Sequence, residues 1–284
     1  MRIDAAAAFG NTLYIGERSN KANGSQACLY QLELGSDKPV KMEVQVPDGM
    51  DISMMTCDGK GNLCLLLTQS ENGSFENVRS CLWKLSPEGE ELEKADINQI
   101  SGTKMPYQAI AADKDGRIYL AEWKGAKKSQ RILVLNEDCT LAGSITCDDG
   151  DVRGLGRARN GEVYGVLMAG HEWIPTIVGF DIQNFTIDEK YSNVLPDDVG
   201  AFDTMGAGRD SDLLIWGPYG IYTYNIGDQK AVATRAQYEL PNGAAMCFTP
   251  GSRALFISNN YTVKDGIMDF DNYSLEKIYL MKAE

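Results

Sequence analysis

The sequence predicts an all-β protein, a β-propeller built from four-stranded antiparallel blades, on three observations. One short apolar strand recurs from end to end, with its central residue at positions 14, 64, 119, 164, 214 and 256. A Gly-, Asn- or Asp-containing turn precedes every copy, as between strands of a hairpin. No segment sustains the 3.6-residue apolar period of a helix. Four short strands in units of about 40–55 residues are the mark of radial repetition.

Each unit opens with an apolar innermost strand, such as Ala109-Ile-Ala-Ala-Asp113. The turn follows: Phe9-Gly-Asn, Asp58-Gly-Lys-Gly-Asn62, Asp113-Lys-Asp-Gly-Arg117, Arg159-Asn-Gly-Glu162, Gly208-Arg-Asp-Ser-Asp212 and Pro250-Gly-Ser252. Next comes the recurring second strand, for example Leu63-Cys64-Leu65 or Ile118-Tyr119-Leu120. After a variable loop a third strand appears: Cys28–Leu32, Cys81–Leu85, Arg131–Leu135, Thr176–Phe180, Gly220–Tyr224 and Lys277–Met281. A polar turn and a weaker fourth strand, such as Leu141–Ile145, close most units. This order predicts six blades, with seven as the alternative, over 1–50, 51–104, 105–150, 151–199, 200–241 and 242–284 of one domain, 1–284. A tandem of small barrels is the rival, which the steady period disfavours. The last unit is incomplete, because only Lys-Ala-Glu follows Met281. An unpaired edge is a liability, so the chain reads as a domain excised from a longer polypeptide, with Met1 as an added start.

Forty acidic against 27 basic residues give a net charge of −13, which repels phosphate backbones and anionic lipid. No run approaches the roughly 20 apolar residues of a membrane span, and the N-terminus lacks a signal-peptide pattern. The lone histidine, His171, leaves no room for a site built on two histidines. The seven cysteines contain no C-x-x-C pair and sit in apolar strand patterns, so they read as small buried hydrophobes. That usage suits a reducing cytoplasm or an anaerobic exterior.

Binding residues concentrate in loops carried by a rigid scaffold. The loops between second and third strands, Glu17–Ala27, Gln69–Arg79, Glu122–Gln130, Ala169–Pro175 and Ser258–Tyr273, share one face around the channel. They bring Trp123, His171, Trp173 and Tyr261 forward as ligand-binding candidates, with Glu17 and Arg153 at the channel mouth. Packing between blades is the plainer reading for Trp123 and for Trp216. Asp113-x-Asp115-Gly resembles the start of a calcium loop, but Arg117 and Lys124 occupy the fifth and twelfth ligand positions, and a hairpin turn explains it. Acidic clusters at Asp148-Asp149-Asp151, Asp197-Asp198 and Asp265 with Asp269 and Asp271 would suit calcium if they converged; otherwise they are solvated turns. No residue pattern specifies a reaction or a cofactor.

The run Tyr107–Ala121, the unit Leu82–Glu90 and the strand Gly220–Asn225 resemble the N-terminal propeller of large extracellular solute-binding lipoproteins of gut Clostridia. The resemblance spans nearly the whole chain through generic propeller motifs. It implies a following solute-binding domain, a lipid anchor and an extracellular location, with a cytoplasmic protein as the alternative; the anchoring cysteine and the second domain are absent from this sequence. The leading functional expectation is a non-enzymatic domain that binds carbohydrate, peptide or a partner protein through its loop face. The alternatives are a calcium-dependent propeller hydrolase or lyase with a channel metal, and a structural spacer or interaction platform.

Overall fold

The computed structural model describes residues 3–19, 26–36, 38–70, 77–125, 127–148, 150–170, 174–195, 204–208, 211–217, 220–236, 245–249, 253–264 and 267–282. Strands β1 (Ile3–Phe9), β2 (Thr12–Glu17), β3 (Cys28–Glu33) and β4 (Val40–Lys41) form the first sheet. β5 (Asp51–Cys57), β6 (Leu63–Ser70), β7 (Val78–Leu85) and β8 (Glu91–Asp96) form the second, followed by helix α1 (Ile97–Ser101). The third holds β9 (Tyr107–Ala112), β10 (Ile118–Glu122), β11 (Gln130–Leu135) and β12 (Leu141–Cys147). The fourth holds β13 (Asp151–Arg157), β14 (Val163–Ala169), β15 (Ile174–Asp181) and β16 (Thr186–Val194). β17 (Thr204–Gly206), β18 (Leu213–Gly217), β19 (Gly220–Asn225) and β20 (Lys230–Ala236) make the fifth. β21 (Ala245–Thr249), β22 (Arg253–Lys264) and β23 (Ile267–Lys282) make a last sheet of three strands. All pairings within the sheets are antiparallel neighbours in sequence, for example Leu65 opposite Met55 and Trp83.

The first strands touch in cyclic order, β1 to β5, β9, β13, β17 and β21, and β21 returns to β1. Among the described residues this is a β-propeller with five four-stranded blades, where the repeats predict six or seven blades with the last one incomplete. The sixth repeat forms the three-stranded sheet β21-β22-β23.

The core lies between sheets, so the second strand of each four-stranded blade is buried on both faces. Leu63, Leu65 and Leu67 pack with Tyr14 and Leu29 of the preceding blade, while Cys64 and Leu66 pack with Ile118 and Leu120 of the next. Val163 and Leu167 likewise join the third blade's cluster, and Tyr164, Val166 and Met168 join the fifth's. Two-sided burial is why these strands read as continuous apolar runs instead of alternating ones. The first strands carry small residues because they converge: a Cβ on Gly156 of β13 would come within 2.4 Å of Met205 Cβ in β17.

Two local features depart from expectation. The helix α1 was not legible as a period, since five residues are too few to show one. Its caps are clear: Asp96 accepts from the Gln99 amide at 3.0 Å, and Gly102 ends it at φ +68°. The expected loop Ser258–Tyr273 is instead largely the extension of β22 and β23, joined at Lys264 opposite Ile267. The run Tyr261-Thr-Val263 is β-branched and aromatic, and so favours a strand.

Candidate functional site

The channel has two mouths, and the inner strands deliver different chemistry to each. At the loop face the strands begin, and their polar first residues are bound to neighbours. Asp51 accepts from the Ser19 amide at 2.8 Å and hydroxyl at 2.5 Å, and Arg18 bridges it to Asp4 at 3.4 and 3.3 Å. Asp151, buried, is ion-paired with Arg153 at 2.5 Å and accepts from Gln108 at 2.6 Å. Gln130 donates to the Glu122 and Val152 carbonyls and accepts from the Val152 amide, tying the β10–β11 loop to β13. Glu122, also buried, is held by Arg131 at 2.5 Å.

Of the candidates read from the sequence, Trp123 and Arg153 come to this rim on adjacent blades. The Trp123 indole is half-buried and lies over the Gly125 turn, while its amide donates to the Pro106 carbonyl at 2.8 Å. Trp216, by contrast, is buried in the fifth blade. Glu17 stands on the first blade and accepts from the Tyr30 hydroxyl at 2.8 Å; burial and then this bond push that phenol up to about 12. His171 and Trp173 lie outside the described residues, as do Asp149, Asp197, Asp198 and Asp265. Tyr261 stands in β22, at the register irregularity between Asn260 and Thr262, and not in a loop. Among the described residues no group of three or more His, Cys, Asp or Glu side chains is placed to hold a metal ion.

The Asp113-x-Asp115-Gly turn spends its first carboxylate on itself. Asp113 Oδ1 accepts from the Asp115 amide at 2.9 Å and the Arg117 amide at 2.8 Å, and Arg117 Nη1 pairs with Oδ2 at 3.3 Å. This is the hairpin-turn geometry, and Asp58 repeats it one blade earlier with Lys60 and Asn62, both at 2.9 Å.

A cavity opens at the opposite mouth, where the inner strands end in their turns. It holds about 440 Å³ and is lined by residues of all six first strands. Ala6, Ala7, Ala8, Ala111, Gly156 and Gly206 leave the space, and Lys114, Arg157 and Arg159 supply the charge. No acidic residue is among the described lining. Sequence reasoning missed this mouth. The signal available to it was Arg157, a long cation ending an inner strand, Asp-Val-Arg-Gly-Leu-Gly-Arg, in a repeat whose other inner strands end in uncharged residues.

The ring of antiparallel blades around a lined channel places the chain among the β-propellers. In fold it is similar to a chain of the mitotic checkpoint complex, with TM-score 0.55 and 9% identity over 90% of this chain and 87% of that one. It is similar to an oligogalacturonate lyase in complex with manganese, with TM-score 0.57 and 12% identity over 87% and 70% of the two chains. A third similar structure is regucalcin, a calcium-binding protein of Agrobacterium tumefaciens, with TM-score 0.53 and 13% identity over 93% and 84%. Identities this low establish a common fold and nothing of the chemistry. No protein-family model matches the sequence, and no curated protein matches it either.

Proposed function

We propose that this chain is a non-enzymatic, ligand-binding propeller domain of a cell-surface solute-binding lipoprotein, followed in the native polypeptide by a solute-binding domain. It binds carbohydrate, a peptide or a partner protein through the loop face, and the three-stranded sheet serves as the sixth blade of the ring. The observation that carries the reading is Trp123: a half-buried indole on a rim whose polar groups are already bonded to one another. A fixed aromatic face beside a bonded polar rim is suited to stacking and hydrogen bonding. The resemblance to clostridial lipoprotein propellers supports the setting.

Two measurements test this. An antibody raised to the chain is expected to detect a membrane-associated polypeptide several times larger than 31.2 kDa in the source cells. A soluble band at the chain's own mass would overturn the lipoprotein reading. Trp123→Ala is expected to weaken capture of the native ligand by the whole protein about tenfold or more, as loss of an aromatic anchor does. Unchanged capture would remove the loop-face site.

A further inference from the structure

We infer that the turn-face mouth of the channel is an anion site, taking the carboxylate or phosphate group of a small ligand on Arg157, with Lys114 and Arg159 at its rim. This site lies opposite the loop face and stands independently of the lipoprotein reading.

The argument begins with Arg157, the last residue of β13, paired in the ladder with Val163. Among the described residues its buried Nη1 has no hydrogen-bond partner and no ion pair holds its guanidinium. A guanidinium cannot shed its charge, so a buried, unmatched N–H seeks an acceptor from outside. The cavity beside it supplies the room. Its volume of about 440 Å³ lies within the span of small-molecule pockets, and the Ala and Gly residues that make up half of its described lining keep the space open.

Charge then selects the ligand. In a chain of net charge −13, the described lining of this one cavity has three cations and no acid. Lys114 and Arg159 belong to consecutive turns, and the backbone holds those turns in place: the Lys114 amide donates to the Gly161 carbonyl at 2.8 Å, and the Arg159 amide to the Asp212 carbonyl at 3.0 Å. Cys57 also lines the wall, and burial drives its thiol far above the ordinary range, so no thiolate competes. A planar fork over a carboxylate or phosphate gives two parallel hydrogen bonds, strengthened by the sheltered setting. A polyanion is disfavoured by the chain's net charge of −13, which leaves a small molecule.

The test is titration calorimetry of the full chain with inorganic phosphate and, separately, with citrate, at ionic strength fixed by chloride. Saturable one-site binding of either is expected, weakened at least tenfold in Arg157→Gln and two- to fivefold in Lys114→Gln. Binding of phosphate alone assigns a phosphate ligand, and of citrate alone a carboxylate. If Arg157→Gln does not fold by near-ultraviolet circular dichroism, the double variant Lys114→Gln/Arg159→Gln is expected to lose at least tenfold. The inference is overturned if the wild-type chain binds neither anion. It is equally overturned if affinity is unchanged in the folded variants, which would mean an adventitious ion only.

Discussion

Lys84 and Asp58 form an ion pair that meets almost no solvent, their side chains 2% and 0% exposed and 3.1 Å apart. Lys84 Nζ also donates to the Glu137 carbonyl at 3.1 Å, so a third-strand lysine of the second blade is fixed to the third blade. A buried pair adds little over an apolar substitute, but removing one partner strands the other. Lys84→Met is therefore expected to cost about 3–5 kcal/mol in urea unfolding, because Asp58 would stay charged and buried. Burial by itself raises the Asp58 carboxyl; hydrogen bonds from Asn62, Lys84 and the turn amides outweigh it and hold the group below its ordinary value. A carboxyl that titrates lower when folded gives stability in full above its unfolded value of about 4, and loses it as the pH falls through the folded value. Unfolding free energy measured from pH 7 to pH 2 should thus fall on the acid side, and Asp58→Asn should flatten that limb while lowering stability at neutral pH.

The first-to-second-strand turns repeat one hydrogen-bond plan. Asp58, Asp113 and Ala158 each donate an amide four residues ahead and accept from the glycine three residues ahead, at 2.8–3.3 Å. Those glycines, Gly61, Gly116 and Gly161, hold φ of +90°, +88° and +86°, where a side chain is strained. The turns also interlock from blade to blade. A Cβ on Gly59 would stand 2.3 Å from the Lys114 carbonyl oxygen, a backbone atom that cannot swing aside. Gly59→Ala is expected to cost about 1–3 kcal/mol of stability in denaturant titration, the range for forced overpacking. A cost below about 0.5 kcal/mol would show that the interlock tolerates displacement.

Among the described residues, stability is distributed over five clusters packed between neighbouring sheets. Leu65 sits fully buried between the first two blades, with Tyr14 and Trp83 in the same cluster. Leu65→Ala removes most of that side chain and leaves a cavity between two sheets, with an expected loss of about 2–5 kcal/mol. Because each sheet leans on the next and β21 stands between β17 and β1, the loss should appear in a single unfolding transition seen alike by fluorescence and far-ultraviolet circular dichroism. Separate transitions would mean that the blades melt independently.

Much of the architecture was readable from the chain because its causes are local. Period-two or continuous apolar runs make strands, and Asp-Gly turns join them, so the strands and hairpins from Leu13 to Phe180 fell where the repeat placed them. Even the self-bonded Asp113 turn was legible, since all its partners lie within four residues. Other features depend on residues far apart. The charged Lys84 in an apolar strand gave no sign of its burial, because its carboxylate comes from a turn 26 residues earlier and its carbonyl acceptor from Glu137. Asp151, in an acidic cluster that would suit calcium if it converged with others, is instead held by Arg153 of its own strand and by Gln108 of the neighbouring blade. Which mouth of the channel holds the cavity was decided in the same way. Six strand ends spread over the chain meet there, and only their convergence gathers small side chains into a space with Arg157 in its wall, its buried Nη1 unmatched among the described residues. Sequence sets what each strand and turn does alone; tertiary packing decides which charges find partners, because partnership depends on distances that local sequence does not encode.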